Sequence, residues 1–204
     1  MVELFAVAII TILAVISPGA DFAIITRNSL IYGRKSGCFA SLGIAAGVLI
    51  HVFYTLVGIG IIISQTPSLF LIIRIVGALY LIYIGYKTFI SKTISVDNNH
   101  EPEILGNFYS FKNGFFTNAL NPKTTLFVLS VYTQVVNPST SLYIQIAYGI
   151  FMSFAHLIWF SLVACFLSSE KLRGKLLDKQ KIINMLIGVM LTMLGLWLMT
   201  SQLI

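Results

Sequence analysis

Asp21 and Lys123 bear most directly on chemistry, because each stands beside a proline inside an otherwise apolar run. Asp21 closes the stretch "SPGAD" (residues 17 to 21), and Lys123 follows "NALNP" (118 to 122) directly. A proline inside a helix removes its own N–H and clashes with the carbonyl four residues back, so Pro18 should free the carbonyl of Ala14, and Pro122 that of Asn118. Past each break a new half-helix begins, and its exposed N–H groups suit a carboxylate. A zwitterion needs donors for its carboxylate and an acid or carbonyls for its ammonium. The groups "PG" with Asp21 and "NALNPK" supply both kinds: Pro18, Gly19 and Asp21 on one side, Asn118, Asn121, Pro122 and Lys123 on the other. Mutual neutralisation of Asp21 and Lys123 is the plainer role for the same two charges. The aspartate lies six residues before Arg27, about 9 Å along a helix, and an acid at that depth costs at least about 2.5 kcal/mol on insertion scales.

Such positions need a membrane around them, and the composition provides for one. The chain has 204 residues, 57% hydrophobic and only 10% charged, against about 25% charged in soluble domains. Residues 36–73, 124–169 and 182–204 contain no Asp, Glu, Lys or Arg. A span needs about 20 apolar residues, so each block holds one or two. Turn-like stretches divide the chain into six helices, roughly 4–30, 38–63, 68–91, 109–136, 141–168 and 182–203. Unpaired backbone is not tolerated in lipid, which makes the spans helical.

The net charge of +6 is explained by topology rather than by a nucleic-acid partner. Basic residues gather at Arg27, Arg34 and Lys35, at Lys87, Lys92 and Lys112, and at Lys171 to Lys181, while "SQTPSL" and "VNPSTS" carry none. The positive-inside rule then places these three loops in the cytoplasm and both termini outside. The start "MVELFAVAII" has no basic region or small-residue cleavage site and is read as a retained first helix.

The halves resemble each other. A shift of 104 aligns Pro18 with Pro122 and brings His51 within one residue of His156, and shifts of 111 and 110 set Gly77 and Gly85 against Gly188 and Gly195. With three spans per half the second enters the membrane from the opposite side. The expected fold is an all-α membrane protein, six transmembrane helices in two inverted three-helix repeats, with helices 1 and 4 broken at Pro18 and Pro122. Transporters of this architecture place their site between the broken helices. One domain covers 1–204: repeat one about 1–91, a cytoplasmic linker about 92–107, and repeat two about 108–204.

Weaker candidates lie on the same helices. His51 and Tyr54 share a helix face, and His156 lies in the middle of helix 5; a histidine can relay protons, though a buried one is more often a packing residue. Arg74 is expected to snorkel, Tyr80, Tyr83 and Tyr86 to pack, and Trp197 to join an interfacial aromatic belt. Gly43 and Gly47 form a GxxxG that brings helices together, within one chain or between the two copies of a homodimer. Cys38 and Cys165 read as small core residues.

The break "SPGADF", the run "NSLIYGRKSGCFASLGIAAG", the "GALYLIYIG" of helix 3 and "GFFTNALNPKTTLFVLSVYTQVV" resemble the LysE/RhtB family of amino-acid exporters, in order and spacing across nearly the whole chain. The resemblance implies export of amino acids or close derivatives from the cytoplasm, driven by the proton gradient and without a cofactor. It also puts Pro18, Gly19, Asp21, Asn121, Pro122 and Lys123 at the family's motif positions. Where the family has Pro-Gly-Pro, this chain has Ala20 for the second proline.

Three other chemistries compete for the same residues. A membrane thiol-redox carrier needs reactive cysteines at the interface, and neither break carries one; intramembrane metalloprotease chemistry lacks its H-E-x-x-H. Export of a divalent metal would use Asp21, His51 and His156 as ligands, and this alternative stays open.

Overall fold

The computed structural model describes residues 2–65, 67–90, 106–167 and 170–200, all helices and short connections. In order these are α1 (Val2–Ile16), α2 (Ala20–Ile31), α3 (Gly33–Gln65), α4 (Pro67–Phe89), α5 (Asn107–Ala119), α6 (Pro122–Gln134), α7 (Leu142–Leu167) and α8 (Glu170–Thr200). Among the described residues, two single helices have the length and hydropathy of a membrane span, over Gly33–Gly58 and Leu142–Leu167. The pair α1 and α2, bent by 53°, passes as a third. The chain is an all-helical membrane protein.

The stretch predicted as one helix over 4–30 is thus α1 plus α2, and that over 109–136 is α5 plus α6. Helix 6, predicted from residue 182, already begins at Glu170 as α8. Its lysines and arginine read as a loop, but they are good helix formers, and charge alone does not end a helix. The predicted linker lies outside the described residues up to 105, as do His100 and the side chains of Arg74 and Tyr80. Tyr83 and Tyr86 are exposed on α4 rather than packed in the interior.

The inside–outside pattern is reversed relative to a soluble protein. Phe53, Phe108 and Tyr143 are exposed, whereas Asp21, Asn28, His51, Asn118 and His156 are buried. Lipid drives no hydrophobic collapse, so the helices associate through close packing of small residues and through hydrogen bonds. A side chain at Gly43 would begin 2.0 Å from the carbonyl oxygen of Phe111, and one at Gly114 2.0 Å from that of Ala40. Gly47 faces Asn118. The GxxxG therefore seats α5 on α3 within one chain. A left-handed backbone at Gly33 (φ 81), open chiefly to glycine, turns α2 straight into α3.

α3 packs most extensively against α5 and α7, and α4 against α8 and α6. Two of the three apolar clusters among the described residues are large. One joins Val7, Ile10 and Ala14 of α1 to Val48 and Val52 of α3, Phe127 to Val131 of α6, and Met152 of α7. The other joins Phe22 and Ile25 of α2 to Ala40 and Ile44 of α3 and to Phe160, Val163 and Ala164 of α7. Polar residues collect where the four half-helix ends meet between them.

Candidate functional site

The carbonyls expected to be freed by the prolines both have side-chain partners. Ser17 Oγ donates to the Ala14 carbonyl at 2.7 Å. His51 Nε2 reaches the Asn118 carbonyl at 2.8 Å, which also receives the Asn121 N–H at 2.8 Å. A carbonyl only accepts, so Nε2 carries the hydrogen. In the neutral ring, Nδ1 then accepts from Tyr54 Oη at 2.5 Å and from Thr125 Oγ1 at 3.2 Å.

Around the first break the two charges are held apart. The Lys123 ammonium donates to the Ser17 carbonyl at 2.8 Å, to Ser17 Oγ and to the Pro18 carbonyl at 3.3 Å. These oxygens lie just past the end of α1, where a helix concentrates negative charge. Asp21 sits in the first turn of α2, at the opposite pole, 7% exposed. Its Oδ2 accepts from Asn118 Nδ2 at 2.8 Å, with Thr124 Oγ1 at 3.5 Å. Its Oδ1 is buried without a hydrogen-bond partner among the described residues. Among those residues no ion pair joins Asp21 to Lys123, so the neutralising role expected for them is not met by direct contact.

A cavity of about 20 Å³ lies here, lined by Ser17, Gly19, Asp21, Asn121, Lys123 and His156, with Ala14, Val15 and Phe22 among its apolar walls and Phe127 and Phe160 completing them. That is room for one water molecule. Asn121 contributes a buried amide nitrogen with no partner among the described residues. Lys123 passes so close to Gly19 that a Cβ there would lie 3.3 Å from its Cδ. His156 Nδ1 donates to the Met152 carbonyl at 2.7 Å, which leaves Nε2 as the lone-pair nitrogen of the neutral ring.

The predicted residues thus come together. Gly19, Asp21, Asn121, Lys123 and His156 line one cavity, Asn118 and His51 buttress it, and Pro18 and Pro122 lie at its helix ends. Ser17, Thr124 and Thr125 were missed by residue-type reasoning. Their signal was adjacency to the prolines, but hydroxyls in such helices usually bond their own preceding turn, which makes them poor markers. Phe127 and Phe160 had no signal separating them from core.

Comparison with known proteins gives the family. Residues 12–202 match the model of the LysE type translocator family. The threonine efflux protein of Salmonella typhimurium is 29% identical over 207 residues, covering 99% of this chain and all of that one. YrhP, a membrane protein of Bacillus subtilis, is 29% identical over 96% of this chain and 97% of its own. The leucine efflux protein of Salmonella choleraesuis is 31% identical over 59% of this chain and 57% of its own. No solved structure matches. The chain belongs to the LysE type translocators, a family of transporters rather than enzymes.

Proposed function

We propose that this protein exports a small, uncharged amino acid from the bacterial cytoplasm across the plasma membrane, exchanging it for protons, with the cavity between the helix breaks as its site. The observation that carries this is the unpaired state of the charges: Asp21 Oδ1 without a partner among the described residues, and an ammonium held only by neutral oxygens 105 to 106 residues away in sequence. A zwitterion inserted there gives its ammonium to Asp21 and its carboxylate to Lys123 and the free amide N–H of Asn121. The aromatic and aliphatic walls hold its side chain, and Asp21 is their one acid, which disfavours a basic side chain. Relatives named for threonine and leucine efflux agree with that reading. A space of about 20 Å³ is too small for any amino acid, so this is a closed, substrate-free state that must open to load.

We read α1 with α2, and α5 with α6, as two broken spans; with α3, α4, α7 and α8 they make six. Inverted repeats are supported by a matched pair of contacts. A Cβ at Gly85 would lie 2.8 Å from the Gly188 carbonyl oxygen, and one at Gly195 3.0 Å from that of Ala78. A shift of 110 exchanges the two contacts, as an axis in the membrane plane requires. The basic loops place both termini outside. The metal-export alternative gains no support: among the described residues no group of three His, Cys, Asp or Glu side chains is placed to hold an ion.

Asp21 is the proposed coupling residue. Everted vesicles carrying wild type, energised by a proton gradient and offered the standard amino acids, should accumulate one or a few neutral ones. Asp21→Asn, at equal membrane level, should accumulate none above the protonophore background. Full proton-dependent accumulation by Asp21→Asn would remove Asp21 from coupling, and accumulation of nothing by wild type would remove the amino acid.

A further inference from the structure

The two sides of the cavity are sealed differently. Toward the α1 and α6 side, the seal is the large apolar cluster of valines, isoleucine and aromatics, where among the described residues the hydroxyls of Thr11 and Thr55 are unpartnered. Toward the far end of α2, Asn28 is fully buried and both its amide oxygen and its amide nitrogen lack partners among the described residues, as does the hydroxyl of Ser29 beside it. A buried amide with neither group paired is far costlier than a lone hydroxyl, and such groups call for a reason. Asn28 is seven residues beyond Asp21 on α2, so the two share a helix face about 10 Å apart along the axis. The second apolar cluster closes this side too, but with these polar groups at its edge. Ser29 of α2 meets Gly37 of α3 and Ala164 of α7 so closely that a Cβ at Gly37 would overlap both side chains. That contact is made by small side chains alone, within the second apolar cluster, to which Ala164 also belongs.

We propose that substrate enters from the cytoplasm by separation of α2 from α3 and α7 at the Ser29, Gly37 and Ala164 contact, and that Asn28 is its first hydrogen-bonding contact on the way to Asp21. The inference rests on the exporter reading. In the closed state the amide is unsatisfied, which raises the energy of the closed form. On opening, its N–H groups and carbonyl bond water and then the carboxylate and ammonium of the passing zwitterion. The unpaired amide thereby keeps the closed and open states near balance.

Two variants test this, in a background where Cys38 and Cys165 are serine. Asn28→Leu removes the unpaired groups at similar volume; it should raise the melting temperature while lowering the transport rate at least tenfold, and Asn28→Gln should restore part of the rate. A lower melting temperature for Asn28→Leu would show that the amide serves ordinary packing and overturn the proposal. With Asn28→Cys, an impermeant maleimide applied to the cytoplasmic face of everted vesicles should modify residue 28, and transported amino acid should slow the reaction. Inertness of that thiol in protein that still transports would overturn it equally. Labelling that proceeds while wild type moves no amino acid would instead retain the passage and dismiss the substrate, which separates failure of this inference from failure of the exporter reading.

Discussion

The two helix breaks are built from similar residues and completed in opposite ways. The break between α5 and α6 is finished locally. Asn121 caps α6 by accepting the Lys123 N–H at 3.0 Å, Pro122 occupies the first helical position where its missing N–H is no loss, and α5 is pinned on α3 through Gly43 and Gly114. The break between α1 and α2 has no such finish. Its cap is Gly19, with no side-chain bond, and the carbonyls past α1 are satisfied by an ammonium that belongs to α6, more than 100 residues on. One break is therefore a fixed platform, and the other is held shut by a removable side chain. If the two halves are the inverted repeats proposed above, they need not move equally, and the proposed freedom lies at α1 and α2.

Removing Lys123 should break this asymmetry most severely. Lys123→Met keeps the stem but strands the carbonyls of Ser17 and Pro18, and leaving such groups unpaired costs about 1–3 kcal/mol. Thermal unfolding of the purified protein should register that loss, and transport should fall to background, because the site also loses its cation. Lys123→Arg, which keeps the charge, should recover stability before transport. A Lys123→Met variant as stable as wild type would mean that the carbonyls past α1 do not depend on the ammonium.

Asn121→Ala strikes the platform instead. It removes one cap bond, and an N-cap replaced by alanine typically costs about 1 kcal/mol. The same unfolding measurement should show a smaller shift than for Lys123→Met, and transport should decline less, since the amide is one of two donors. Equal losses from the two variants would erase the distinction between a local and a borrowed finish.

Much of this site was readable from residue types, for a physical reason. Charges and prolines are expensive inside a membrane helix, so Asp21, Lys123, Pro18 and Pro122 stand out against an apolar background. The partnerships were not readable. The sequence suggests a pair of opposite charges, and the fold instead sets each at the matching pole of a broken helix, an arrangement that depends on how α6 crosses the end of α1. Likewise the GxxxG announces a close approach without naming α5 as the partner. Asn28 escaped notice because an uncharged side chain one residue from Arg27 reads as the polar margin of a span; only burial distinguishes it.

The gentlest probe makes the first break resemble the second. Ala20 is the first residue of α2 and is exposed, the counterpart of Pro122 in α6. Proline there loses no helical hydrogen bond, because the first N–H of a helix has no partner within it. The preceding residue must be extended, and Gly19 already is, at φ −178° and ψ −165°. Ala20→Pro should therefore raise stability by about 0.4–1 kcal/mol through the unfolded chain, with transport near the wild-type rate. If stability rises and transport collapses, the Ala20 N–H is itself a substrate donor, and the open end of α2 joins Lys123 and Asn121 in holding the carboxylate. If both stay level, the flexibility that matters at this break lies in Gly19 and the lysine beside it, not in the first turn of α2.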